Sequence, residues 1–222
     1  LASSQSVLTK NQRDLGVALV DIGADVTSLA VYDDGKLVHV ASFPMGAANV
    51  TNDIAVVLTV SIAAAEAVKR AYGSALAKDV PAREIIDLQK MDARARGVVP
   101  RRHVADIIET RMKELFELVH AELKKISKDR LPAGVVLTGG GAKLTNVVEL
   151  ARQELRLPAQ LGLPDLSRMD ITEGDVALKL EDPEFACVVG LVFAARDHGL
   201  HRERSHEGVK MVFKKLVNYF MP

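Results

Sequence analysis

The chain has 222 residues, with 29 lysines and arginines against 29 aspartates and glutamates, so it carries no formal net charge. That balance excludes a uniformly basic nucleic-acid binder and an acidic disordered chain; 48% hydrophobic and 26% charged residues describe an ordinary soluble globular protein of one large or two small domains. The single cysteine, Cys187, excludes an internal disulfide framework and a cysteine-based zinc cluster, and cytoplasm is the expected compartment. Aromatics are only 4% and tryptophan is absent, so the core must be aliphatic and no stacking platform for single-stranded nucleic acid is expected. The apolar stretch Ile54 to Ala65 is broken by Thr59 and Ser61. It falls short of the roughly 20 residues a membrane-spanning helix needs.

The chain opens on Leu1 with no charged region ahead of an apolar one, so no signal peptide is expected, and the missing initiator points to a fragment or a processed chain. The polar segment Ser3 to Asp14 reads as the end of a helix begun further upstream. Strand signals follow: Gly16 to Asp21, Ser28 to Tyr32, and Lys36 to Phe43 after the turn Asp33-Asp34-Gly35, together a β-meander. From Asn49 the period becomes helical, with Val50, Ile54, Val57 and Leu58 on one face, and a second helix from Ser61 to Tyr72 meets a C-cap at Gly73. A strand is expected around Glu84 to Leu88 and a loop over Gly97 to Pro100. Val104, Ile108, Met112, Leu115, Val119, Leu123 and Ile126 then form a helical stripe, widened by Ile107 and Leu118, as expected of an amphipathic helix packed on a sheet. Leu131-Pro132 ends it, Gly134 to Leu137 makes a buried strand, and a helix from Leu144 to Leu155 follows the turn Thr138 to Ala142.

Three features carry chemistry. A strand, a glycine turn and a helix in succession suit the approach of a phosphate or nucleotide, because glycine lets a ligand reach the backbone and a helix start offers N–H donors. A tight strand-to-helix turn accounts for the same glycines. The hairpin Asp21-Ile22-Gly23-Ala24-Asp25-Val26-Thr27 puts a carboxylate, for magnesium, next to a glycine, for phosphate oxygens, although an ordinary hairpin turn reads the same way. Glu66 and Lys69 lie three apart on one helix face, able to hydrogen-bond ribose hydroxyls or simply to pair with each other.

In order, a hairpin DxGxxxT, an AExxK helix and LTGGGA before a helix resemble the second half of the actin, Hsp70 and sugar-kinase ATPase fold. Within that superfamily the segments LASSQSVLT, NVTNDIAVVL, SIAAAEAVKRAYGSA, RRHVADIIETRMKELFELV, GVVLTGGGAKLTNVVELA and DPEFACVVGL are similar to FtsA, the bacterial cell-division actin homologues, in FtsA order. The resemblance implies an α/β fold of the ribonuclease H-like type, a mixed sheet with flanking helices, followed by a C-terminal amphipathic helix. It implies a nucleotide-binding core at 1–46 and 133–196, an inserted, mostly helical subdomain at 47–132, a linker at 197–208 and a membrane-targeting helix at 209–222. ATP and magnesium are the implied cofactors. Asp21, Gly23 and Thr27 match the phosphate-2 loop, with Asp21 as the metal carboxylate. Glu66 and Lys69 match the nucleoside pair, and Gly139, Gly140, Gly141 and Ala142 match the adenosine loop. The usual loop DIGGGTTD is altered, with Ala24, Asp25, Val26 and Ser28 at the varied positions, which weakens the expectation of phosphate contact and hydrolysis. The first half of the fold, with the phosphate-1 loop, is expected before Leu1, leaving half a pocket here.

Beyond the polar stretch 197–208, Val209, Val212, Phe213, Leu216 and Phe220 recur on one helix face, with Lys210, Lys214, Lys215 and Asn218 beside it. Such a basic amphipathic helix suits the interface of an anionic membrane, and docking on the body is the alternative. Residues 208–222 hold three lysines and no acid, leaving 26 basic against 29 acidic residues before them. The FtsA resemblance implies a filament-forming, weakly ATPase or non-catalytic adaptor that tethers FtsZ to the cytoplasmic face of the cell membrane at the septum, with no nucleic-acid partner. In that family the FtsZ tail peptide meets the subdomain bearing the long helix, which makes Arg101, Arg102 and Arg111 the candidates here, unless they are solvated surface charge. Asp21 to Ser28 also looks like PilM, the pilus-assembly relative, which lacks the terminal helix. A sugar kinase or chaperone ATPase is the catalytic alternative.

Overall fold

The protein is described by a computed structural model, which covers residues 1–92, 95, 97–128, 130–169, 171 and 174–197. Its centre is a five-stranded mixed sheet. β1 (Val17–Ile22) pairs antiparallel with β2 (Thr27–Asp33), and β2 pairs antiparallel with β3 (Lys36–Phe43), the β-meander expected from the sequence. β6 (Val135–Thr138) runs parallel to β1, and β7 (Ala159–Leu161) parallel to β6. The β1–β6 pairing places Asp21 opposite Thr138, so the hairpin tip and the glycine turn emerge side by side at one end of the sheet.

The two faces of the sheet bury different partners because side chains alternate along a strand. Ala18, Val20, Ile22, Leu29, Val31, Val135 and Leu137 meet a helical layer of α3 (Ala47–Leu58), α4 (Ile62–Tyr72), α5 (Arg101–Lys125) and α6 (Val147–Leu155). Val17, Leu19, Ala30, Tyr32 and Val136 pack with Leu8 on the opposite face. α5 buries the stripe Val104, Ile108, Met112, Leu115, Val119 and Leu123, widened by Ala105 and Phe116. Leu118 points outward instead, at 41% exposure. On α3 the buried face is Val50, Thr51, Ile54 and Ala55, Val57 is half exposed at its margin, and Thr59 ends the helix in a left-handed conformation.

Several local expectations are corrected. Residues Ser3 to Asp14 form two short helices, α1 (Ala2–Val7) and α2 (Lys10–Leu15), the second opened by a capping box between Thr9 and Gln12. α1 is polar in sequence but buries Ser3, Ser4 and Ser6, whose hydroxyls all find partners. It packs against α8 (Ala186–Asp197), which is reached through α7 (Gly174–Leu180). The expected strand near Glu84 is the short β4 (Ile85–Asp87), and the expected loop at Gly97 to Pro100 contains its partner β5 (Val98–Pro100). α6 begins at Val147, three residues later than its periodicity suggests, because a 3₁₀ turn at Gly140–Lys143 and a left-handed Asn146 come first.

Candidate functional site

The β1–β2 hairpin closes with the Gly23 amide donating to the Val26 carbonyl at 3.0 Å. α3 starts directly against this tip: the Ala47 amide donates to the Gly23 carbonyl at 2.9 Å and the Ala48 amide to the Ala24 carbonyl at 2.8 Å. These amides open α3 and have no partner within the helix. The hairpin satisfies them, which binds tip and helix into one unit. Gly46 makes the approach possible, since a Cβ there would lie 2.4 Å from the Ala24 oxygen and 2.6 Å from that of Gly23. Thr27 is fully buried and its hydroxyl donates to the Met45 carbonyl at 2.8 Å, so it braces the strand end from behind.

α4 is capped by the Ser61 hydroxyl and presents Glu66, Lys69 and Arg70 toward the hairpin. Lys69 is only 8% exposed. Its ammonium donates to the Ala47 carbonyl at 3.0 Å and to the Thr51 hydroxyl at 2.8 Å, and it pairs with Glu66 Oε2 at 2.6 Å. Burial works against the charge of Glu66, but hydrogen bonds from Lys69 and Thr51, with the charges of Lys69 and Arg70, outweigh it and hold the carboxyl below its ordinary range.

The glycine turn forms the third wall. Gly139 has φ 86° and sits where a Cβ would be 2.5 Å from Asp21 Oδ1 and 2.6 Å from the Ile22 carbonyl, so it allows β1 and the turn to touch. Asp21 accepts a hydrogen bond from the Ser3 hydroxyl through its other oxygen. Lys143, at the end of the turn, lies 2.5 Å from Asp182 and 3.4 Å from Glu184. Burial opposes its charge, yet these two carboxylates hold its pKa above the ordinary lysine value.

Between the three walls lies an open cleft of about 430 Å³. Of the residues expected from sequence, it is lined by Gly23, Glu66, Lys69, Gly140 and Gly141. Asp21, Thr27, Gly139 and Ala142 are not among the residues that line it. Ala24 of the altered loop, the C-cap Gly73 and Leu144 also line the cleft, together with Ala47, Ala48, Arg70, Lys143, Thr145 and Glu184, for which the sequence suggested no role. Arg70 and Lys143 sit next to expected positions, so the motifs pointed at them. Glu184 lies in the segment DPEFACVVGL, but the fold brings it to the cleft, where the Pro183 carbonyl accepts the Gly139 amide.

The three candidate arginines lie away from the cleft. Arg101 donates to the Tyr72 carbonyl and pairs with Glu84 at 2.6 Å. Arg111 grips Asp53 with two nitrogens and also pairs with Glu114. Arg102 is exposed. The tail residues Val209, Lys210, Val212, Phe213, Lys214, Leu216 and Phe220 lie outside the described residues. No helix among the described residues is long and apolar enough to cross a membrane.

A mixed sheet with a hairpin tip, a helix and a glycine turn converging at one end is one half of the actin-like ATPase fold. Solved structures share it: MreB5 of Spiroplasma citri bound to ADP superposes with a TM-score of 0.68 at 15% identity, over 92% of this chain and 60% of that one. The PilM–PilN type IV pilus biogenesis complex gives a TM-score of 0.59 at 23% identity, over 83% and 47%. The MamK double helical filament gives 0.55 at 16% identity, over 81% and 54%. At these identities the likeness is one of fold. Sequence is more specific: the family profile described as Cell division protein FtsA matches residues 18–190. Cell division protein FtsA of Pseudomonas aeruginosa is 42% identical over 165 residues, or 74% of this chain and 40% of that protein. Its counterpart in Neisseria meningitidis serogroup B is 36% identical over 88% of this chain and 46% of that protein. The chain belongs to the FtsA family of cell-division proteins, and it spans a little under half the length of these relatives.

Proposed function

We propose that the chain is the second half of a cell-division adaptor that binds ATP, assembles with copies of itself and tethers FtsZ filaments to the cytoplasmic face of the membrane at the septum. The observation that carries the nucleotide part is the cleft, where the Gly23 tip, the Glu66 carboxylate and the Gly140–Gly141 turn face one space. Backbone at close range suits phosphates, and an ionised carboxylate suits sugar hydroxyls. Magnesium commonly rides on substrate phosphates and takes one or two protein carboxylates. Asp21 is the candidate carboxylate, and no cluster of three or more His, Cys, Asp or Glu side chains is gathered for a metal among the described residues. No catalytic base is assigned, and tethering requires none.

The membrane part rests on the tail sequence and on family membership. One basic amphipathic helix attaches reversibly, and self-association multiplies the attachment points. FtsZ recognition is assigned to the α5 side, with Arg102 the most available of the three arginines. Family membership favours this reading over a PilM-like pilus role or a sugar kinase.

Sedimentation with anionic liposomes tests the tether, comparing the chain with Phe213→Glu/Phe220→Glu and with a version ending at Gly208. The unaltered chain is expected to sediment and to carry FtsZ filaments with it, while the two variants stay in solution. Equal sedimentation of all three overturns the tether.

A further inference from the structure

We propose that Thr51 is a positioning residue of the nucleotide cleft: with Lys69 it forms a buried strut that ties the hairpin tip to Glu66 and leaves Glu66 as the group that meets the sugar hydroxyls. This rests on the nucleotide reading of the cleft.

Proton counting carries the assignment. A lysine ammonium has three N–H donors and accepts nothing. Lys69 meets three acceptors, the Ala47 carbonyl at 3.0 Å, Thr51 Oγ1 at 2.8 Å and Glu66 Oε2 at 2.6 Å. No donor is left for a ligand, so Lys69 is a structural cation although it lines the cleft. Thr51 receives one of these protons, so its own hydroxyl proton must go elsewhere. Glu66 Oε2 lies at 2.6 Å and the Ala47 carbonyl at 3.3 Å, so the carboxylate takes it. Glu66 Oε2 thus accepts twice. Among the described residues Oε1 has only Arg70 near it, with Nε 3.8 Å away, beyond hydrogen-bond reach, and the side chain is 41% exposed. Oε1 is the oxygen open to the cleft.

The strut also has a far end. The Ala47 peptide accepts Lys69 through its carbonyl and donates its amide to the Gly23 carbonyl at 2.9 Å. An unbroken path of hydrogen bonds therefore runs from the phosphate-facing tip through Ala47 and Lys69 to the sugar-facing carboxylate. Both Thr51 and Lys69 are buried, at 3% and 8% exposure, so water does not stand in for a lost partner at low cost. Without the Thr51 hydroxyl, Lys69 keeps an unmet donor and Glu66 loses one of the two bonds that fix its plane.

The test uses the 222-residue chain, titrated with ATP and with 2′,3′-dideoxy-ATP, and follows amide chemical shifts so that weak binding is measurable. A charge-assisted hydrogen bond to the sugar should favour ATP by about tenfold in the unaltered chain. Thr51→Val, which keeps the shape and removes the hydroxyl, should cut that preference to about threefold or less, and Thr51→Ser should restore it. If Thr51→Val does not fold, Lys69→Met reads the same strut from its other end. ATP binding with an unchanged preference in Thr51→Val, or in Lys69→Met where that variant stands in, overturns the strut and leaves the nucleotide reading intact. Absence of any ATP-dependent shift in the unaltered chain overturns the nucleotide reading and the strut with it.

Discussion

Arg111 on α5 holds Asp53 on α3 in a two-pronged grip, Nε on Oδ2 at 2.5 Å and Nη2 on Oδ1 at 2.9 Å, with both side chains less than a third exposed. Fork-on-carboxylate pairing of this kind fixes the relative rotation of two helices. Replacing Arg111 by Ala is expected to cost about 1–2 kcal/mol, more than a surface pair, because it leaves Asp53 half-buried and unmatched. Urea unfolding of Arg111→Ala, Asp53→Ala and the double variant measures it. Additive losses would show that the two residues do not act as a pair.

Gly46 is the point where α3 meets the hairpin tip. A methyl group at this position lands inside contact distance of two carbonyl oxygens, at 2.4 and 2.6 Å. Gly46→Ala should destabilise the chain by about 2–3 kcal/mol, since backbone atoms must move to admit it. A thermal midpoint unchanged within error would contradict this packing.

Glu66 has a folded-state pKa below its ordinary value: burial raises it, but Lys69, Thr51 and Arg70 together lower it further. A depressed carboxyl stabilises the fold above its unfolded pKa, near 4.5, and that contribution is lost as the pH falls through the lower folded value. Stability should therefore decline below about pH 4.5 in the unaltered chain, and Glu66→Gln should flatten part of that decline. Parallel acid-unfolding curves for the two proteins would refute this coupling.

The cleft is open on the side away from its three walls, and Asp25 lies exposed at the hairpin tip beside it. Calorimetry of this chain with ATP should give a dissociation constant weaker than about 100 µM, since only part of a nucleotide's surface meets protein. Micromolar binding by these residues alone would contradict that reading.

Much of the sheet and of the helical layer was written in local periodicity. Short apolar runs marked β1 and β2, which are buried on both faces, imperfect alternation marked β3, and the spacing of Val104 to Leu123 marked α5, because burial leaves its pattern in the sequence. The ends were less legible. α1 has no apolar stripe: its buried positions are serines whose hydroxyls are matched by Asp21, Tyr32 and the Ala186 carbonyl, partners from distant parts of the chain. β5 and β7 have three residues each, too few to establish a period.

The sequence by itself determined the order of the hairpin, the Glu66 helix and the glycine turn, and through that order the family. Glycine and acid at fixed spacings mark where a backbone can be approached and where a charge can stand. Only the tertiary structure decided what each side chain does there. It turned Thr27 inward onto Met45, spent every proton of Lys69 on protein acceptors, moved the start of α6 away from the glycine turn, and brought Glu184 to the cleft. Hydrogen bonds are short-ranged and saturable, so which partner takes a given proton depends on distances of a few tenths of an ångström that no spacing of letters encodes.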